Sequence, residues 1–334
     1  MGMETIAVEH AAGTDRVGPR RRLRGRVTAR ALRATAGVLQ RLPDSSLHRA
    51  AHAVGGLLYA LQPGRRALVR ENLRRVCVHL AAHQMATPAA AAAALDEGAL
   101  RSLTRQAFGH YVRGYLEGAI LPVYARPQMA DRITADDPAL VEQAFGPPGS
   151  PPPRLIVVAL HYGAIEIPAL WATRRRGMRV TAPMESVGDP DLQAYFALTR
   201  GATGLRIVPL PGAARELSAA LARGESVAIV ADRVIGGAGA RVELFGAEAR
   251  LPLGPALLAL ESGAPAWLVT ARRTGHGFYR AHLELIPLPA TGERRERIAA
   301  FLAAQARAVE RAVALAPEQW WALFFPIWPE ARRR

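Results

Sequence analysis

The chain of 334 residues contains no lysine, so all 43 of its basic side chains are arginine. This absence excludes enzymes that depend on a P-loop lysine, a Schiff-base lysine or the lysine of protein kinases. Cysteine is almost as scarce, because Cys77 stands alone. A single thiol excludes an intrachain disulfide framework and any zinc site built from several cysteines, and it fits exposure to the cytoplasm.

Long hydrophobic runs are also missing. No stretch approaches the roughly 18 apolar residues that a membrane-spanning helix needs. The first residues carry Glu4, Glu9 and Asp15 and no apolar segment, which is unlike a signal peptide. We therefore expect a disordered tail over residues 1–18 and no transmembrane segment.

Charge is unbalanced, with 43 basic against 28 acidic side chains and a net charge of +15. Such an excess of arginine suits anionic partners: nucleic acid, lipid headgroups or the phosphates of an acyl donor. A GC-rich genome, which encodes arginine and alanine frequently, is the alternative explanation of the total number of arginines. A nucleic-acid-binding protein is disfavoured because the arginines are dispersed, no DNA or RNA motif is present, and aromatic residues are not interleaved with basic runs.

Residues 19–146 are predicted to form a helical N-terminal region. Apolar residues recur at helical spacing on either side of Pro43, which indicates two amphipathic helices, and residues 64–83 and 92–120 continue the helical pattern. A basic amphipathic pair suits the surface of an anionic membrane, and packing on a protein core is the alternative.

A proline-rich connector over 147–153 leads into a region of different pattern, residues 154–330. Short β-branched runs there alternate with helical stretches, which predicts an α/β core: a mixed, mostly parallel sheet flanked by helices. The predicted strands are 154–160, 178–184, 205–210, 226–231, 241–245, 265–271 and 278–286, and the predicted helices are 164–176, 190–200, 212–223, 254–262 and 291–315.

The first predicted strand ends directly before His161, and Glu166 follows five residues later. A histidine at the carboxyl end of a strand can take a proton from a hydroxyl near neutral pH, and a carboxylate on its second nitrogen would fix its tautomer. Gly163 permits a turn between them, so that the strand end and the next helix supply one residue each. The spacing alone is a weak signal, since His10 and Asp15 share it.

Six short motifs occur in register over residues 23–328. They are Asn72-Leu-Arg-Arg-Val76; His161 with Glu166; Arg200 before Gly204 and Ile207-Val208-Pro209; Gly224-Glu-Ser-Val-Ala-Ile-Val-Ala-Asp232 with Arg233; Phe245-Gly246 with Pro252, Gly254 and Leu258-Ala259; and Pro317-Glu-Gln-Trp-Trp321. In these motifs the chain resembles the bacterial lipid A biosynthesis acyltransferases and their relatives, the phosphatidylinositol mannoside acyltransferases, within the lysophospholipid acyltransferase fold. The lack of a spanning N-terminal helix, and Asp232-Arg233-Val234 where Asp-Gln or Asp-Arg-Asp is frequent, favour the mannoside branch.

The resemblance implies transfer of a fatty acyl chain from acyl-CoA or acyl carrier protein to a hydroxyl of a membrane glycolipid or phospholipid. His161 would act as general base with Glu166 as its partner, and no metal or other cofactor would be needed. The expected location is peripheral, on the cytoplasmic face of the inner membrane. A catalytically inactive relative that only binds lipid is an alternative, which the intact His161 and Glu166 disfavour.

Four further residues are candidates for substrate binding: Arg200, Asp232, Arg233 and Gly254. The arginines could hold a phosphate or the charge that develops during acyl transfer, and a surface ion pair is the alternative for each. Asp232 ends a strand before a glycine-rich loop, which it could simply cap.

Two other segments carry unusual side chains. His110, Tyr111, Arg113, Tyr115 and Glu117 form a polar helical stretch that either borders the site or is a hydrated helix face. Five aromatic residues, Trp320, Trp321, Phe324, Phe325 and Trp328, lie within nine positions ahead of Arg332–Arg334. They suit a membrane interface, with burial expected for two or three of them.

Overall fold

The computed structural model describes residues 19–124, 131–185, 189–234 and 239–328, with the backbone alone for 19–27 and 119–124. The predicted tail 1–18 and the arginines at 332–334 lie outside the described residues. Within the described ranges no helix is both long and apolar enough to cross a bilayer.

Five helices precede the sheet in the described part of the chain. The sequence pattern predicted four of them, and the alanine-rich stretch forms the fifth because Thr87 caps it, accepting a hydrogen bond from Ala90 N at 3.3 Å, while Pro88 occupies its first turn. The helices are α1 (Pro19–Leu39), α2 (Asp44–Leu61), α3 (Pro63–Ala82), α4 (Pro88–Leu95) and α5 (Glu97–Tyr124).

A seven-stranded sheet forms the centre of the described structure, and its strands lie side by side in the order β1 (Ile133–Ala135), β9 (Phe278–Ile286), β8 (Ala266–Gly275), β2 (Ile156–Ala159), β5 (Ser226–Val230), β3 (Val180–Met184) and β4 (Arg206–Pro209). All neighbouring strands run parallel except β8 and β9, which form an antiparallel hairpin. This confirms the predicted mixed, mostly parallel α/β fold.

Strands β6 (Gly239–Leu244) and β7 (Ala247–Pro252) pair with each other in a separate antiparallel hairpin. The remaining helices cover the main sheet and begin or end at residues suited to those positions. Asp189 caps one of them through its carboxylate, and Gly177 and Gly263 end two others in the left-handed conformation. These helices are α6 (Pro138–Phe145), α7 (Glu166–Arg176), α8 (Pro190–Gly201), α9 (Ala213–Ala222), α10 (Gly254–Ser262) and α11 (Arg294–Ala314).

One hydrophobic core joins the N-terminal helices to the sheet. Leu73 and Val76 of α3 and Phe108 of α5 are buried in the same cluster as Ile156 and Val158 of β2. The sheet also begins before the proline-rich connector, because β1 pairs with β9 in parallel. The helical region therefore packs directly against the strands that carry the candidate site.

Candidate functional site

The strand register brings His161 and Asp232 together. Strands β2 and β5 are parallel neighbours, and Ala159 is paired with Val230 at their carboxyl ends. His161 lies two residues after Ala159, and Asp232 lies two residues after Val230. The two side chains therefore meet at the same place, just beyond the ends of the paired strands. His161 Nδ1 lies 2.7 Å from Asp232 Oδ1. This is the edge of a parallel sheet where ligands are usually bound.

The carboxylate of Asp232 is fully enclosed, with a side chain that is 0% exposed. Besides the His161 ring it accepts hydrogen bonds at Oδ2 from the His161 amide and from Trp320 Nε1, both at 2.9 Å. Burial by itself raises the pKa of Asp232, but the attraction of His161 and these hydrogen bonds outweigh it, so that the pKa is lowered. Asp232 is therefore a buried anion.

His161 keeps one ring nitrogen available. The Asp232 carboxylate can only accept, so Nδ1 carries the proton and Nε2 carries the lone pair. The side chain is 19% exposed, and no hydrogen bond or ion pair occupies Nε2 within the described residues. A neutral imidazole held in this tautomer, beside a buried carboxylate, is equipped to accept a proton at Nε2.

Glu166 lies at the start of the helix after His161, as the sequence suggested, but it is not the partner of the His161 ring. It is the first residue of α7, after a turn in which Gly163 has a φ of +54°, and none of the hydrogen bonds or ion pairs among the described residues joins it to His161. The pKa of Glu166 is raised, chiefly because the side chain is buried. The positive charge of Arg200 lowers this pKa and the negative charge of Glu117 raises it, but neither reverses the effect of burial. The Nδ1 partner is instead Asp232, because the β2–β5 register delivers it there.

The two candidate arginines differ in their surroundings. Arg200 is exposed at the end of α8, near enough to Glu166 to favour its ionised form. Arg233 follows Asp232, lies with its guanidinium carbon 4.1 Å from the centroid of the Phe325 ring, and approaches Glu185 at 3.5 Å. Gly254 begins α10, has open space where a Cβ would stand, and makes no hydrogen bond to the His161–Asp232 pair.

The backbone amides around His161 are all engaged. The His161 amide donates to Asp232, and the next three donate to the carbonyls of Leu160 at 2.7 Å, Gln319 at 3.0 Å and Ala271 at 2.8 Å. These four amides are therefore not free to stabilise an oxyanion.

A buried ionic network supports the turn after His161. Arg273 of β8 donates from Nη2 to the carbonyl of Gly163 at 2.8 Å and from Nε to Glu117 Oε1 at 2.9 Å. Arg113 and Tyr279 donate to the same Glu117 oxygen at 3.0 and 3.2 Å. Burial raises the pKa of Glu117, but the two arginines outweigh it and the pKa is lowered. The expectation of a hydrated helix face was thus wrong for Arg113 and Glu117, which are buried.

The C-terminal segment, residues 317–325, packs against the turn after His161. Two 3-10 turns, Pro317–Gln319 and Trp321–Phe324, follow α11, and the amide of Trp321 donates to the carbonyl of His161 at 2.7 Å. Asn72 of α3 donates to the carbonyls of Leu323 and Phe325 at 2.8 and 3.0 Å. Three of the five aromatic residues are buried, as expected: Trp320, Phe324 and Trp328.

Comparison with known proteins agrees with the resemblance seen in the sequence. The phosphatidylinositol mannoside acyltransferase of Mycobacterium tuberculosis (strain ATCC 25618 / H37Rv) is 34% identical over 113 residues, which are 32% of this chain and 35% of the relative. The protein of that name from Mycolicibacterium smegmatis is 26% identical over 181 residues, 53% of this chain and 58% of the relative. The matches thus span about a third to somewhat over half of the relatives' lengths.

A wider match comes from a family profile. Residues 102–328, which include the whole sheet and the turn that carries His161, match the profile of the bacterial lipid A biosynthesis acyltransferases. The chain belongs to the bacterial lipid A biosynthesis acyltransferase family.

Proposed function

We propose that the protein is an O-acyltransferase that moves a fatty acyl chain from a thioester donor, acyl-CoA or acyl carrier protein, to a hydroxyl of a membrane glycolipid or phospholipid. The observation that carries the proposal is the His161–Asp232 pair, in which Nδ1 is fixed at 2.7 Å from a buried carboxylate and Nε2 is left available. Family membership and the names of the relatives support the reaction class.

In the proposed reaction, His161 Nε2 takes the proton of the acceptor hydroxyl as its oxygen attacks the thioester carbonyl carbon. The resulting tetrahedral intermediate carries a negatively charged oxygen. When it collapses, the carbonyl re-forms, the carbon–sulfur bond breaks, and the departing thiolate receives the proton held on Nε2. Asp232 remains ionised throughout and stabilises the imidazolium that forms in between.

The oxyanion needs a donor, and we assign this role to an arginine side chain because the amides of residues 161–164 are engaged. Arg200 is the first candidate, since it is exposed at the end of α8 and its charge acts on Glu166, which begins the helix after the His161 turn. Arg233, above the Phe325 ring, is better placed for a phosphate of the donor or acceptor, and Gly254 is retained as a candidate for the same ligand.

The acceptor to be tested first is a mannosylated phosphatidylinositol, because both relatives are named for acylating that class of lipid. Purified protein would be incubated with palmitoyl-CoA or palmitoyl-acyl carrier protein and either this lipid or a total lipid extract, and products would be identified by mass spectrometry. His161→Gln is the test variant. The matched control is His83→Gln, an exposed histidine at the end of α3.

We expect one new acylated lipid with wild type and His83→Gln, and at least a thousandfold loss with His161→Gln. Equal product from all three proteins would remove His161 from the reaction. Binding of lipid without any product, with every donor, would favour the inactive lipid-binding alternative, and salt-sensitive DNA binding without lipid binding would favour the nucleic-acid alternative.

We further propose that α1 and α2 rest on the cytoplasmic face of the inner membrane. Val54, Leu57 and Leu61 recur at spacings of three and four residues, which places them on one side of α2, and Leu57 and Leu61 are 57% and 67% exposed. Val38 of α1 and Leu42 after it are exposed as well. We name these five residues the apolar ridge. Exposed Arg41 and Arg49 nearby would meet anionic headgroups.

Vesicle flotation tests this surface. Leu57→Asp should reduce binding to vesicles that contain anionic phospholipid by about tenfold or more, because it places a charge in the apolar ridge. Leu95→Asp, at a leucine of α4 that is 91% exposed and outside the ridge, is the control and should bind as wild type does. Equal flotation of both variants and wild type would contradict the proposal.

A further inference from the structure

Trp320 is the only side chain, among the described residues, that hydrogen-bonds to the Asp232 carboxylate apart from His161. Its indole is fully buried, and Nε1 donates to Oδ2 at 2.9 Å while His161 Nδ1 meets Oδ1 at 2.7 Å. The sequence placed Trp320 in the motif Pro317-Glu-Gln-Trp-Trp321 and among aromatic residues suited to a membrane interface, and did not connect it with Asp232.

We propose that Trp320 is a positioning residue of the acyl transfer reaction, which acts through Asp232 by fixing the orientation of the carboxylate that holds His161. This inference rests on the proposed function. An indole nitrogen is always a donor, so it marks Oδ2 as an acceptor and leaves Oδ1 to face the ring of His161. The His161 amide donates to Oδ2 as well, and the two bonds together prevent rotation of the carboxylate.

The backbone around Trp320 is built to keep the indole in this place. The Gln319 side chain binds the backbone of Arg273 twice: Oε1 accepts a hydrogen bond from the Arg273 amide at 2.9 Å, and Nε2 donates one to the Arg273 carbonyl at 3.0 Å. The backbone of Trp320 forms an isolated antiparallel β-bridge with that of Tyr162. The Trp320 ring packs on the ring of Phe245, with the centroids 5.5 Å apart. The C-terminal segment thus connects the turn after β2 with β8 and with Asp232.

Loss of the indole donor has a definite chemical consequence. The hydrogen bond spreads the charge of the Asp232 carboxylate, and without it the carboxylate is a stronger base that holds a protonated His161 more tightly. Protonated His161 would then release its proton to solvent only at a higher pH than in the wild type. The other ionisable groups around it are Glu166, Arg233, and the buried Glu117 and Arg273 under Gly163, and none of these hydrogen-bonds to either member within the described residues.

The test compares Trp320→Phe with Trp328→Phe. Trp328 is also a buried tryptophan whose Nε1 donates one hydrogen bond, at 3.1 Å to the Leu244 carbonyl, so its replacement removes the same groups away from Asp232. For each protein kcat and KM would be measured from pH 5 to 9. Independently of turnover, the pH dependence of carbethoxylation of His161 by diethyl pyrocarbonate would be followed by peptide mass spectrometry.

For Trp320→Phe we expect kcat near neutral pH to fall about tenfold with KM unchanged, and the acid limb of the rate profile to move up by about one pH unit. Carbethoxylation of His161 should show the same upward shift, and Trp328→Phe should show neither effect. Trp320→Tyr provides a second ring without the indole donor if the phenylalanine variant folds poorly.

The inference is overturned if the two phenylalanine variants have equal pH profiles and equal carbethoxylation curves while wild type is active. Failure of the proposed function has a different signature: wild type forms no acylated lipid, yet the carbethoxylation curve of Trp320→Phe still shifts relative to Trp328→Phe.

Discussion

Replacing Asp232 with asparagine should reverse the tautomer of His161. Two donors that cannot change, the His161 amide and the Trp320 indole, converge on the Oδ2 position at 2.9 Å. The amide oxygen of asparagine must therefore take that position, which leaves its NH2 group facing His161 Nδ1. Nδ1 then has to accept, the proton moves to Nε2, and the ring can no longer act as a base at Nε2.

The size of the fall in kcat for Asp232→Asn can be estimated from this geometry. The fold and the hydrogen bonds at Oδ2 are kept, so substrate binding should change little, and the whole effect falls on proton transfer. A wrong histidine tautomer in a comparable His–acid pair costs about 10⁴ in rate, and we expect a fall in kcat of about 10³ to 10⁴, or roughly 4 to 5.5 kcal/mol of transition-state stabilisation.

The assay is initial-rate kinetics with thioester donor and acceptor lipid near neutral pH. Asp136→Asn is the matched control, since it removes a carboxylate that is bound to Arg272 at 2.7 Å and has no hydrogen bond to His161. A kcat for Asp232→Asn above about a tenth of the wild-type value, at unchanged stability, would refute the reasoning.

Two further predictions concern stability. Burial, followed by the charges of neighbouring His48, Arg273 and Arg113, lowers the pKa of His52 to about 4, so the unfolded chain binds more protons between pH 6.5 and 4. Wild type should therefore lose unfolding free energy as the pH falls over that range in urea titrations, by about 1 to 2 kcal/mol because solvent screens this half-buried ring, and His52→Gln should lose clearly less. Gly163→Ala should lower Tm far more than Gly177→Ala, because both have positive φ but only at Gly163 would a Cβ come within 2.0 Å of a carbonyl, that of Ala271; similar Tm values would contradict this.

The fold was largely predictable because its pattern is local. Each predicted strand of the α/β region appears in the structure, since β-branched runs bounded by turns show themselves within a few residues. Strand β1 was missed because three residues are too few to show a pattern. Strand β7 was missed because it contains no β-branched or aromatic residue, although exposed Glu248 and Arg250 alternate with buried Ala249 and Leu251 as in a half-buried strand.

The site was predictable only in part. His161 follows a strand in the sequence, and that is enough to place it at the sheet edge. Its partner depends on β2 and β5 being neighbours although β3 and β4 lie between them in the chain, and strand order is not a local property. The expectation therefore settled on nearby Glu166, while Asp232 was noted as a ligand or a loop cap.

The buried charges show the same limitation. Arg113 and Glu117 are four residues apart on a helix, which is typical of a solvated ion pair. Their burial depends on Arg273, 156 residues from Glu117 in the chain, which reaches the same carboxylate from β8. The spacing of Arg113 and Glu117 therefore does not reveal that they support the turn after His161, because that role depends on the position of Arg273 in the folded protein.

The pairing of His161 with Asp232 can be measured most directly by nitrogen NMR of the protein labelled with ¹⁵N-histidine, with His161 assigned through His161→Gln. We expect wild type at neutral pH to carry the ring proton on Nδ1, with a strongly downfield proton resonance. That resonance should disappear in Asp232→Asn and persist in Glu166→Gln. A wild-type proton on Nε2, or a signal that survives Asp232→Asn and vanishes in Glu166→Gln, would contradict the pairing on which the proposed mechanism depends.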